Sequence, residues 1–74
     1  MNQINQQIGY KIKAKRKKLG ITQANLSKKL DISATYLNLM ESGKRKIDLD
    51  LLLKIANELN VDISDISKKT DTNL

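Results

Sequence analysis

Apolar residues recur at helical spacing along almost the whole chain. Ile4, Ile8, Ile12 and Leu19 fall within a narrow arc of a helical wheel, which predicts a first helix that runs to about Leu19 and stops at Gly20. Ile21 then folds back onto it. Residues 1–7 are polar and contain two possible caps, Asn2 and Asn5, so they read either as a flexible arm or as an extension of that helix.

The stretch ITQANLSKKLDISATYLNLMESGKR, residues 21–45, reads as two short helices joined by a tight turn. Thr22 is placed to cap the first of them, and Leu26, Ser27 and Leu30 share one side. Asp31 stands where the chain must stop and turn, and Ser33 caps the next helix. At about 100° per residue, Leu37 and Met40 face inward with Tyr36 and Glu41 flanking them. Thr35, Asn38, Leu39 and Ser42 point the other way. Gly43 supplies a left-handed stop, and Lys44, Arg45 and Lys46 follow at once.

Asp48 opens a fourth helix, LDLLLKIANEL, which ends at Asn60. Leu49, Leu52, Ile55, Ala56 and Leu59 supply its core stripe. Leu51 and Leu53 exceed that stripe, one on each flank; Leu53 is expected beneath a neighbouring helix, and Leu51 on a partner surface. Val61, Ile63 and Ile66 form a short fifth helix, with Asp62 or Ser64 as its cap. The predicted fold is all-α: one compact five-helix bundle over residues 8–67, preceded by the arm or extension at 1–7 and followed by a disordered tail at 68–74.

With 74 residues there is room for one modest core. The chain contains no Cys and no His, so neither a disulfide framework nor a zinc site is expected, and a reducing, cytoplasmic compartment fits best. No apolar run approaches the ~18 residues of a membrane span. The net charge of +6 is unevenly placed: residues 1–46 carry +9 and the remainder −3. Lys11, Lys13, Lys15, Arg16, Lys17 and Lys18 crowd the end of the first helix with no acid among them. The helix dipole accounts for about two of these, and some of the rest are expected to meet phosphates.

A helix, a short turn and a second helix with an uncharged hydrogen-bonding face and cations at its end is an arrangement that a duplex major groove accepts. Thr35 and Asn38 offer short donors and acceptors, while Ala34 and Leu39 suit thymine methyl groups. That face has neither Arg nor Gln for bidentate contacts to guanine or adenine, so readout leans on Asn38, methyl contacts and DNA shape. The ring of Tyr36 can pack on the core or its hydroxyl can reach a phosphate, and both readings stand open.

Through Thr22 and Gln23, LSKKL at residues 26–30, Ile32 and Ser33, and ESGKRK at residues 41–46, the chain resembles the helix-turn-helix family of phage repressors and Cro proteins, often called XRE-like. The resemblance covers residues 8–66. A weaker one links SATYLNLMESGKRKIDLDLLLKIA to the N-terminal domain of larger bacterial regulators that sense metabolites.

The resemblance implies a bacterial or phage regulator, most simply a repressor. It places Ser33, Ala34, Thr35, Asn38 and Leu39 against double-stranded DNA, with Gln23 on the backbone or buttressing the reading helix and Lys44 and Arg45 clamping phosphates. It further implies that Arg16 and Glu41 form a structural ion pair. A homodimer on a pseudo-palindromic operator is expected, with Leu51, Ile63 and Ile66 as its possible surface. Two departures stand out: Ser27 where the family usually has alanine, and Asp31 where it usually has glycine at the turn.

The competing reading is a protein interaction module of the same fold, for which DNA is incidental. An enzyme is disfavoured, because the chain lacks His, Cys and any phosphate-cradling glycine loop. No cofactor or metal is called for. The basic first helix is not read as a membrane-surface element, since its apolar stripe is wanted for the core.

Overall fold

The structure, a computed structural model, describes residues 3–67. Five helices follow one another: α1 (Gln3–Lys18), α2 (Gln23–Leu30), α3 (Ala34–Glu41), α4 (Leu49–Leu59) and α5 (Ile63–Ser67). There is no strand among the described residues. Of the two readings of the N-terminal segment, helix extension is the one seen from Gln3 onward. The expected tail at 68–74 lies outside the described residues.

Local chemistry sets the starts of the three central helices. Thr22, Ser33 and Asp48 are extended N-caps, and their side-chain oxygens accept hydrogen bonds from the N–H groups of Asn25 (3.0 Å), Tyr36 (3.0 Å) and Leu51 (2.8 Å).

The helix ends share one device. Gly20, Asp31, Gly43 and Asn60 all adopt positive φ, at 73°, 60°, 80° and 57°. After each of them the chain doubles back, so that Ile21, Ile32, Lys44 and Val61 donate to the carbonyls of Arg16, Ser27, Leu39 and Ala56 at 2.9–3.1 Å. Asp31 therefore makes the tight turn in the same conformation that glycine would adopt.

α1 packs against α3, α4 and α5, and α2 against α3 and α4. Ile12, Leu26, Leu37, Met40, Ile55 and Leu59 are fully buried where these helices converge. Ser27 is buried as well, and its hydroxyl donates to the Ala24 carbonyl at 2.9 Å, so the small side chain closes the gap without leaving a polar orphan.

The structure corrects several expectations drawn from the pattern. Leu19 lies beyond the last residue of α1 and is exposed, as is Ile4 near its start. On α4 the flanks are reversed: Leu51 is buried, whereas Leu49 and Leu53 are 64% and 47% exposed. The reason is that α4 touches α1, α2 and α5 together, which covers an arc of about 140° from Leu51 round to Ala56 and leaves Leu49 outside it. Ile66 is only 2% exposed and Ile63 is half-buried. Leu51 and Ile66 are thus packed into the core of a single chain, which leaves little of either side chain for the partner surface expected of them.

Candidate nucleic-acid interface

The position of α3 is decided by a polar knot at its C-terminal end. Arg16 of α1 donates through Nε to Glu41 Oε2 (2.7 Å) and through Nη2 to Glu41 Oε1 (3.0 Å), the fork-to-fork geometry that a guanidinium and a carboxylate favour. Its remaining nitrogen, Nη1, donates to the Ile21 carbonyl at 2.7 Å. Gln23, on the first turn of α2, donates from Nε2 to Glu41 Oε1 at 2.9 Å. One carboxylate therefore ties the end of α1, the start of α2 and the end of α3. The side chains of Arg16 and Glu41 are 7% and 2% exposed, so the pair is desolvated, and removing either member would strand a buried charge.

Gly9, two turns earlier on the same side of α1, supports the same junction. A Cβ at this position would overlap the Met40 carbonyl oxygen and come within 2.7 Å of that of Glu41, so the backbones of α1 and α3 meet only because Gly9 has no side chain. The sequence signal of this close approach is a lone glycine inside an otherwise helical run.

With its inner face held, α3 turns the other one to solvent. Ser33, Ala34, Thr35 and Asn38 are exposed, Tyr36 and Leu39 are half-buried, and Lys44, Arg45 and Lys46 are exposed in the loop beyond. Tyr36 packs against the core cluster, and the Arg45 guanidinium lies over its ring at 5.0 Å from the centroid. This stack brings the loop cation back beside the helix, an arrangement that sequence spacing does not reveal. Gln23 is half-buried and points at Glu41, which makes it a brace for α3.

The basic residues of α1 do not act as one patch. Lys11, Lys15 and Lys18 line a groove of about 390 Å³ with Tyr10, Ala14, Val61 and Ile66, on the side of α1 away from the Gly9 and Arg16 contacts with α3. Lys13 and Lys17 are exposed outside that groove. Among the described residues no group of three or more Asp and Glu side chains is placed to hold a metal ion, and no helix is long and apolar enough to cross a membrane.

Comparison with known proteins places this geometry. Residues 12–66 match the helix-turn-helix family. The control protein C.MunI of a Mycoplasma species is 34% identical over 67 residues, with 89% of this chain and 90% of that protein covered. The propionyl-CoA carboxylase regulator of Cereibacter sphaeroides is 36% identical over 59 residues, which is 80% of this chain but 13% of that much longer protein. In three dimensions the chain superposes on the restriction-modification controller protein C.AhdI of Aeromonas hydrophila with a TM-score of 0.80 at 22% identity, covering 84% of this chain and 94% of that one. A shared fold, capped helices joined by a tight turn, and a family match over most of its length together show that the chain belongs to the XRE-type helix-turn-helix family.

Proposed function

We propose that the chain is a sequence-specific repressor that lays α3 in the major groove of double-stranded DNA, as a two-fold homodimer on a pseudo-palindromic operator in the cytoplasm of a bacterium. One observation carries this reading: Thr35 and Asn38 stand exposed on a helix whose opposite face is fastened by the knot of Arg16, Gln23 and Glu41. A reading helix must present hydrogen-bonding side chains without shifting under load, and this one is fixed at both the backbone and the side-chain level.

Around it, the roles divide by chemistry. Thr35 and Asn38 read base edges, with Ala34 and the exposed part of Leu39 against thymine methyl groups. Ser33 and the N-terminus of α3 sit near phosphate, Lys44 and Arg45 clamp the backbone, and Tyr36 holds Arg45 in place by its ring. Two such helices in successive grooves would lie about 34–36 Å apart. The acidic C-terminal half keeps that end of the molecule away from phosphate. The regulator and control-protein names of the relatives support the assignment.

Selecting bound duplexes from a random library, followed by salt titration, tests the proposal. An inverted repeat should be recovered, and its affinity should fall linearly on log axes with salt while staying well above that of random DNA. Equal affinity for all duplexes at every salt concentration would refute sequence-specific reading.

A further inference from the structure

The outer face of α4 carries exposed apolar and charged residues side by side. Leu49 and Leu53 are exposed, one helical turn apart, on a helix whose other apolar residues are all buried. Asp50 and Lys54, also exposed and one turn apart, occupy the opposite shoulder of the same face, and Asn57 lies between the two rows. At about 100° per residue, the leucines fall near 0° and 40° and the charged pair near 100° and 140°, so the face carries an apolar row and a row of mixed sign side by side.

That layout selects one occupant and one orientation. We infer that a second copy of this chain docks here, with the two α4 helices antiparallel about a two-fold axis that crosses them. In an isologous contact of this kind, each shoulder meets its own counterpart with the residue order reversed. Leu49 of one copy then faces Leu53 of the other, while Asp50 of one faces Lys54 of the other. Both rows are satisfied at once. A parallel pair would instead set the leucines against the charges. The inference rests on the dimeric reading above and names its surface, replacing Leu51 and Ile66, which lie inside the chain.

Only 11 residues of helix contribute, so the contact is small and the pair should be weak in free solution and reinforced when two copies sit on one operator. Its charge pairing makes it testable by exchange. Sedimentation velocity of the 74-residue chain, alone and with an operator-length duplex, gives the self-association strength and the number of copies bound. Asp50→Lys and Lys54→Asp should each weaken pairing by at least about tenfold, because like charges then face one another. The double exchange should restore it. Leu53→Glu should abolish pairing while leaving the circular dichroism spectrum and melting temperature of the monomer unchanged, since the side chain is outside the core.

An unaltered dimer in Leu53→Glu, or a double exchange as weak as either single one, would overturn the assignment of this face. A wild-type chain that binds its operator as one copy would overturn the pairing itself and leave the reading of DNA by α3 intact, because the salt titration measures that separately.

Discussion

Arg16 and Glu41, 25 residues apart in sequence, are joined by two parallel hydrogen bonds of 2.7 and 3.0 Å in a site closed to water. Glu41→Ala removes the acceptor and leaves the guanidinium buried with only the Ile21 carbonyl, at an expected cost of about 3–5 kcal/mol. For a domain of this size that lowers the melting temperature by at least about 10 °C. Calorimetry checks it, and unchanged thermal stability would remove the pair from the account of how α3 is held. Arg16→Lys should also destabilise, since an ammonium keeps the charge and loses the fork.

Gly9→Ala pits two effects against each other. Alanine is the better helix former by about 1 kcal/mol, yet its Cβ would collide with the carbonyls that end α3. The collision should win, because the obstacle is backbone, and a net loss of about 1–3 kcal/mol is expected in denaturant unfolding. A stabilised variant would mean that α1 and α3 lie farther apart.

The turn between α2 and α3 predicts the opposite sign. Asp31 holds φ at 60°, where a side chain is strained and glycine is not. Asp31→Gly should raise stability by about 0.5–1 kcal/mol, after glycine's extra freedom in the unfolded chain is set against the relief. Urea melts read the difference directly, and a loss would show that the aspartate side chain contributes something the strain argument omits.

Substitutions on the proposed DNA-reading face should separate by kind. Asn38→Ala and Thr35→Ala should each cost about 1–3 kcal/mol on the selected operator and little on random DNA. Lys44→Ala should weaken both and lower the salt slope by about one. Fluorescence anisotropy across a salt series measures all of these. Equal losses on both kinds of DNA for Asn38→Ala would move that residue from base reading to phosphate contact.

Arg45→Ala should resemble Lys44→Ala on DNA but with a larger loss, because the arginine is already positioned over Tyr36 and gives up little freedom on binding. Tyr36→Leu, which keeps the packing and removes the ring, should reproduce part of that loss in the same assay. Wild-type affinity in Tyr36→Leu would show that the stack positions nothing.

Much of this protein was legible in its residues taken one after another. Thr22, Ser33 and Asp48 begin helices because each side chain satisfies an N–H three residues ahead, and Gly20, Asp31, Gly43 and Asn60 end them because each tolerates a left-handed backbone. Those interactions span a few residues, so the sequence states them in full. The exposure of Thr35 and Asn38 follows from the same short-range periodicity.

What tertiary structure alone decided concerns where helices touch. Helical spacing says that α4 has an apolar side but not how wide an arc its neighbours cover, and so it exchanged the fates of Leu51 and Leu53 and miscast Leu49 as core. The need for Gly9 against Met40, the turn of the Gln23 amide toward Glu41, and the stacking of Arg45 on Tyr36 likewise depend on the distance between elements. A one-dimensional pattern carries the direction in which a side chain leaves its own helix. How closely another helix approaches from that direction is settled only when all five pack at once.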